Sequence, residues 1–174
     1  LAIDKLKKDN IDTSNIIISN KYKTGVAGIH VDRNTGKNAI TVVRGAPSTL
    51  TSKEIDTKLF KQSKIFLTQL EIPIAVTLDC LKAAKEYGLI NILNPAPACE
   101  LSNDFFKLID YFTPNESEAE FYTGVRINNE NDAKTSAKKL IEMGIKKVII
   151  TLGEKGLFYS DGKEDIFMKA SSDK

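Results

Sequence analysis

Between Lys64 and Thr151 short apolar runs alternate with stretches whose apolar residues recur at helical spacing, and this alternation limits the possible folds more than any other feature. Residues 64–69 (KIFLTQ), 89–93 (LINIL), the segment at Tyr111-Phe112-Thr113 and residues 147–151 (KVIIT) read as strands. Residues 74–87 (closed by Gly88), residues 102–108, a stretch from Glu116, and residues 131–143 (closed by Gly144) read as helices. In the last of these, Ala133, Ala137, Leu140 and Ile141 make one stripe. Strands alternating with helices imply βαβ units, hence an α/β fold with a doubly wound, mostly parallel sheet and helices on both faces. Residues 157–168, turning at Asp161-Gly162, are expected to add an antiparallel hairpin at one edge.

The first 50 or so residues have a different rhythm. Residues 1–8 are helical in spacing, and Asn10-Ile11-Asp12 breaks the pattern. Three strand candidates follow, Ile16-Ile17-Ile18, residues 25–31 and residues 38–43, the last two joined by the polar turn Asp32-Arg33-Asn34-Thr35-Gly36. A small β layer placed before the alternating units suggests a lid. The expected division is therefore a lid at 13–47, with 1–12 and 48–174 belonging to the α/β domain. Thr51-x-x-Glu54 has the form of a capping box for a helix running to about residue 60.

Charge and composition remove several classes of function. With 25 Lys and Arg against 23 Asp and Glu, the net charge of +2 gives no electrostatic case for nucleic acid or an anionic membrane. No apolar run approaches the roughly 20 residues of a membrane helix, and no signal peptide is read at the start, so a cytoplasmic protein is expected. The chain opens inside a helical pattern and ends on a polar tail after a strand; both ends read as cuts. Cys80 and Cys99 lack metal-ligand spacing and are expected to be reduced. His30 is the single histidine, and it falls in the hairpin as an exposed strand residue, so acid–base chemistry must rest on carboxylates or lysines.

Two stretches could carry chemistry together. Thr113-Pro114-Asn115-Glu116-Ser117-Glu118-Ala119-Glu120 leaves a strand and enters a helix. Asn115-x-x-Glu118 is either an ordinary capping box or half of a phosphate and metal site, because ligands of open α/β sheets sit at carboxyl strand ends, beside helix N-termini. A carboxylate placed there can hold Mg²⁺ through water beside substrate phosphates. Thr151-Leu152-Gly153-Glu154-Lys155-Gly156 leaves the next strand; it matches neither G-x-x-x-x-G-K-[ST] nor G-x-G-x-x-G. It is either a plain turn into a hairpin or a glycine-bracketed loop that lets backbone approach a phosphate. Gln69-Leu70-Glu71 ends the first alternating strand, and Glu71 there is either an exposed loop acid or an acceptor for sugar hydroxyls. Asn94-Pro95-Ala96-Pro97-Ala98 supplies a stiff, extended exit from the next strand.

Taken in order, Thr24-Gly25-Val26-Ala27, Gln69-Leu70-Glu71, Leu93-Asn94-Pro95-Ala96-Pro97-Ala98, the Asn115-x-x-Glu118 segment and Ile150-Thr151-Leu152-Gly153-Glu154-Lys155-Gly156 resemble the carbohydrate kinase family of ribokinases, fructokinases and adenosine kinase. Asn-Pro-Ala-Pro-Ala points, within that family, to the ribokinases. The resemblance implies transfer of the ATP γ-phosphoryl group to the 5-hydroxyl of D-ribose, with Mg²⁺ on the phosphates and K⁺ as activator. It implies Glu71, Ala27 and Val42 against the sugar; Asn115, Thr151, Leu152, Gly153, Glu154, Lys155 and Gly156 against the nucleotide; and Glu118 with Asn115 around the magnesium. It also implies a homodimer formed through the lid. The family's N-terminal di-glycine segment is not in these 174 residues, nor is its C-terminal Gly-Ala-Gly-Asp segment. By the resemblance the catalytic Asp and the K⁺ site lie beyond residue 174, and Pro47 stands where ribokinases commonly have Asn. The alternatives are a fructokinase-like or nucleoside kinase of the same family, and a non-catalytic sugar- or nucleotide-binding protein on the same scaffold.

Overall fold

The computed structural model describes residues 2–36 and 38–171. Leu1, at the head of the first helical stretch, and the polar end at 172–174 lie outside the described residues. The chain divides into two compact units, Leu1–Asp56 and Thr57–Lys174. Residues 1–12 and 48–56 thus fall in the same unit as the hairpin.

The first unit holds helix α1 (Ala2–Lys8) and an antiparallel pair, β1 (Val26–Val31) and β2 (Asn38–Val43). Asp32 sets the turn between them: its carboxylate accepts from the N–H groups of Asn34 and Thr35 and from the Thr35 hydroxyl, at 2.7–3.0 Å. The register places Ala27 opposite Val42 and Ile29 opposite Ile40. Because side chains alternate along a strand, Ala27, Ile29, Val31, Ile40 and Val42 share one apolar face, and every residue of the pair is exposed. Ile16-Ile17-Ile18 does not form the expected strand; Ile18 is 71% exposed. β-branched residues favour extended backbone, but only a ladder partner makes a strand, and here none of the described residues provides one. The helix expected at 51–60 is also absent. The Thr51–Glu54 box closes as predicted, yet the chain extends again at Ile55 and makes two separate 3₁₀ segments, Ser52–Glu54 and Thr57–Gln62.

The second unit is the α/β structure. In order it runs β3 (Ile65–Thr68), α2 (Ile74–Glu86), β4 (Ile90–Leu93), α3 (Asn103–Phe106), β5 (Tyr111–Phe112), α4 (Glu116–Thr123), α5 (Glu130–Glu142), β6 (Lys147–Thr151), β7 (Leu157–Ser160) and β8 (Asp165–Met168). The strands lie in the order β3-β4-β5-β6-β7-β8, parallel from β3 to β6 and antiparallel from β6 to β8. The mostly parallel sheet, the helix positions and the edge hairpin agree with the sequence reading.

The distribution of helices is set by that strand order. When successive parallel strands step across a sheet in one direction, right-handed crossovers put every connecting helix on the same side. Leu81 of α2, Phe105 and Phe106 of α3, Ala119 of α4, and Ala133, Ala137 and Leu140 of α5 accordingly pack in one core against Leu93, Phe112, Val148, Ile150 and Phe158. Within the described residues, the helices of this unit therefore form one layer of the doubly wound arrangement. The opposite sheet face carries Ile65, Leu67, Ile90, Ile166 and Met168 in the open, with Leu67 68% exposed.

At the amino ends of the strands a single carboxylate gathers three donors. Asp110 accepts from Lys146 Nζ at 2.7 Å, from Lys85 Nζ at 2.9 Å and from the Asn91 N–H at 2.9 Å. Burial opposes its ionisation, but the hydrogen bonds from Lys146, Asn91 and Lys85 outweigh burial and hold the carboxyl below its usual value. A lowered folded value means that its stabilisation is complete above the unfolded pKa of about 3.9 and is lost as pH falls through the folded one. Asp110→Ala is expected to cost about 1–3 kcal/mol near neutral pH, chiefly by leaving the buried Asn91 N–H unpaired, because the exposed Lys146 and half-buried Lys85 can turn to water. The deficit should shrink in strong acid, as the charge-dependent part is lost, which urea unfolding at several pH values would measure.

Candidate functional site

The four parallel strands deliver their exits to one edge of the sheet. Glu71 follows β3, Asn94-Pro95-Ala96-Pro97-Ala98 follows β4, Asn115 follows β5 and Thr151 ends β6. Backbone bonds lock neighbouring exits together: Asn94 N–H donates to Thr68 O at 3.0 Å, Leu70 N–H to Ala96 O at 3.0 Å and Thr113 N–H to Leu93 O at 3.0 Å. The two stretches singled out in the sequence meet directly. Thr151 N–H donates to Pro114 O at 2.9 Å, and Asn115 and Thr151 form a parallel bridge. Pro114 is buried and has no N–H, and its carbonyl also receives the Thr151 hydroxyl at 3.4 Å. Nothing in the residue pattern marks Pro114 for this role.

At Asn115-x-x-Glu118 the capping box forms in full. Asn115 Oδ1 accepts from Glu118 N–H at 2.9 Å and from Ser117 Oγ at 2.8 Å, while Glu118 Oε2 accepts from Asn115 N–H at 2.8 Å. Capping uses only one of the two Glu118 oxygens. Burial raises the Glu118 carboxyl above its usual value, and the bond from Asn115 N–H offsets that only in part. No cation among the described residues pairs with it, so a bound cation would relieve that penalty. Among the described residues no group of three or more His, Cys, Asp or Glu side chains could hold a metal. The Glu118 oxygen that capping leaves over could take a divalent cation only together with water or ligand oxygens.

The segment after β6 turns sharply. Gly153–Lys155 make one 3₁₀ turn, with Gly153 at φ +56° and Gly156 at φ +114°. Lys155 N–H donates to Leu152 O at 3.1 Å, and Leu152 N–H to Gly156 O at 2.8 Å. The Gly153 and Glu154 N–H groups have no intrachain acceptor among the described residues, and amides left free at such a turn are suited to an anion. Leu152 points its side chain into the core, so only its backbone could touch a nucleotide. Glu154 is exposed, and Lys155 Nζ donates to Asn128 O at 3.2 Å across the α4–α5 connection. That last link has no signature in the sequence.

Glu71 is exposed in a bend after β3. Ala27 and Val42 face each other on the apolar face of the β1–β2 pair, in the first compact unit.

The family model for pfkB carbohydrate kinases matches residues 2–174. The chain belongs to the pfkB family of carbohydrate kinases. Within that family it is 37% identical to a ribokinase of Staphylococcus aureus over 170 residues, 97% of this chain and 56% of that protein. It is 38% identical to a bifunctional ribokinase/ribose-5-phosphate isomerase A of Fructilactobacillus sanfranciscensis over 163 residues, 92% of this chain and 30% of that one. The crystal structure of a ribokinase from Thermotoga maritima superposes with a TM-score of 0.82 at 34% identity, covering 99% of this chain and 56% of that one. This pfkB chain thus spans about half the length of the Staphylococcus and Thermotoga proteins. No helix among the described residues is long and apolar enough to cross a membrane.

Proposed function

We propose that this chain is part of a ribokinase, which transfers the γ-phosphoryl group of ATP to the 5-hydroxyl of D-ribose. The observation that carries the reading is the junction of Thr151 with Pro114, which sets the Asn-x-x-Glu helix beside the Gly153–Gly156 turn at the carboxyl edge of the sheet. Its similarity to proteins named ribokinases supports ribose as the acceptor.

In this reading Asn115 and the backbone of residues 151–156 hold the nucleotide, with the Gly153 and Glu154 N–H groups and Lys155 near its phosphates. Glu118, with Asn115 beside it, orients magnesium-bound water through the carboxylate oxygen that capping leaves over. Mg²⁺, when bound, neutralises charge on the transferring phosphoryl group. Glu71 accepts hydrogen bonds from sugar hydroxyls. Residues 13–47 act as a lid, with Ala27 and Val42 towards the sugar and its apolar face available to a second copy in a homodimer. The base that deprotonates the 5-hydroxyl and the K⁺ site are assigned to the segment that the resemblance sets beyond residue 174. A cytoplasmic setting, where ATP is supplied, completes the proposal.

The test is ADP release by the full-length enzyme with ATP, Mg²⁺ and K⁺, comparing ribose, fructose, adenosine and no acceptor. Ribose should stimulate release well above the others. Preference for fructose or adenosine would reassign the acceptor, and tight binding of ATP without turnover would make the protein a binding module.

A further inference from the structure

Tyr122 lies one helical turn after Glu118 on α4, so the two side chains share a face. Its ring is clamped edge-on by three phenylalanines, with centroids 5.8 Å from Phe106, 5.4 Å from Phe112 and 5.1 Å from Phe121. Its hydroxyl accepts a hydrogen bond of 3.4 Å from the N–H of Cys99, at the end of the proline-rich exit of β4. That exit is itself bonded, through Ala96 O, to Leu70 N–H beside Glu71. A continuous path therefore runs from the Glu71 bend through the 94–99 segment and Tyr122 to the turn of α4 that bears Glu118. Chain connectivity gives no such path, because α2, β4, α3 and β5 all intervene in sequence between Glu71 and Tyr122.

We infer that Tyr122 is a positioning residue, whose hydroxyl ties the β4 exit to α4 and so fixes the place of Glu118 relative to the bend carrying Glu71. Three features support this. The aromatic clamp removes the ring's freedom, so the hydroxyl is held at one place without further ordering cost. The hydroxyl accepts from Cys99 on the side of the ring towards the β4 exit, while the same α4 backbone carries Glu118 one turn earlier. Burial pushes the phenol up to about 12 against the opposing bond from the Cys99 N–H, with the nearby Glu118 carboxylate adding to the rise, so the hydroxyl stays protonated throughout the physiological range. The inference rests on the proposed function for the roles of Glu71 and Glu118, but the contact path can be tested separately.

The decisive variant is Tyr122→Phe, which keeps the ring and removes only the hydroxyl; Tyr122→Leu removes the clamp as well. Amide hydrogen exchange is read first, on the full-length protein. In Tyr122→Phe the amides of Cys99 and of Asn115, whose N–H is held by Glu118, should exchange about three- to tenfold faster, the range expected for one lost hydrogen bond. Amides of β6 and α5 should be unchanged. Faster exchange at Cys99 alone, or uniformly across the core, would overturn the positioning role. The second readout is the Mg²⁺ concentration for half-maximal turnover of the full-length enzyme, expected to rise in Tyr122→Phe while the KM for ATP at saturating Mg²⁺ stays put; an unchanged Mg²⁺ requirement overturns the inference. A wild-type enzyme with no sugar-stimulated turnover would count against the proposed function, and the exchange of the Asn115 amide would still decide the role of Tyr122.

Discussion

Glu118→Gln is expected to lower kcat about a hundredfold or more and to raise the Mg²⁺ requirement, while leaving the melting temperature nearly unchanged. The magnitude is that of removing one preorganised electrostatic group from a site of developing charge. The choice of glutamine separates the two roles that Asn115-x-x-Glu118 could play. A Gln side chain still offers an oxygen to the Asn115 N–H, so the capping box at 2.8–2.9 Å can persist. What disappears is the negative charge on the oxygen not used for capping. Full activity of Glu118→Gln at low Mg²⁺ would reduce the motif to a helix cap. Loss of both activity and stability would mean that the substitution had broken the cap, and Glu118→Ala would then serve as the reference for cap loss alone.

Gly156→Ala should destabilise the second unit by about 3 kcal/mol or more, combining a Gly-only backbone conformation with steric overlap. Gly156 sits at φ +114°, and a Cβ built on it collides with the carbonyl oxygen of Met168 and comes within 2.7 Å of Ala170 N. Those atoms belong to the end of β8 and the residues after it, so relief requires peeling β8 from β7. Gly153→Ala is the control. Its φ is +56° and a Cβ there meets nothing within 4 Å, so only the left-handed backbone penalty of about 1–2 kcal/mol applies. Thermal unfolding of the two variants should rank them in that order; equal effects would mean that contact with β8 is unimportant.

Much of the second unit was readable because its signals are local and agree with one another. Helix ends fell within a residue or two of the predicted glycines, and the strand at 147–151 fell where its β-branched run placed it. The first unit was read less well for a physical reason. Ile16-Ile17-Ile18 has strand composition, but whether it pairs depends on distant residues, and Thr51-x-x-Glu54 signals where a helix could begin without saying how far it runs. At the carboxyl edge, the candidate residues stood out because carboxylates, glycines and a threonine at strand ends are few. The contacts that fix them were not: Pro114 O, Asn128 O and the Cys99 N–H are backbone groups, and every residue carries such groups alike. Tyr122 belongs with them, since an aromatic in a helix reads simply as core.

The uncovered side of the sheet links the fate of the two sheet surfaces. One face of β3–β8 is sealed by helices while the other presents Ile65, Leu67, Ile90, Ile166 and Met168 to water, although parallel strands in other proteins are sealed on both. Such a slab behaves as a surfactant, wetted on one side and water-averse on the other. For this chain, a change at Leu67 or Ile65 alters how readily copies meet through that open face without touching the residues at the carboxyl edge of the sheet.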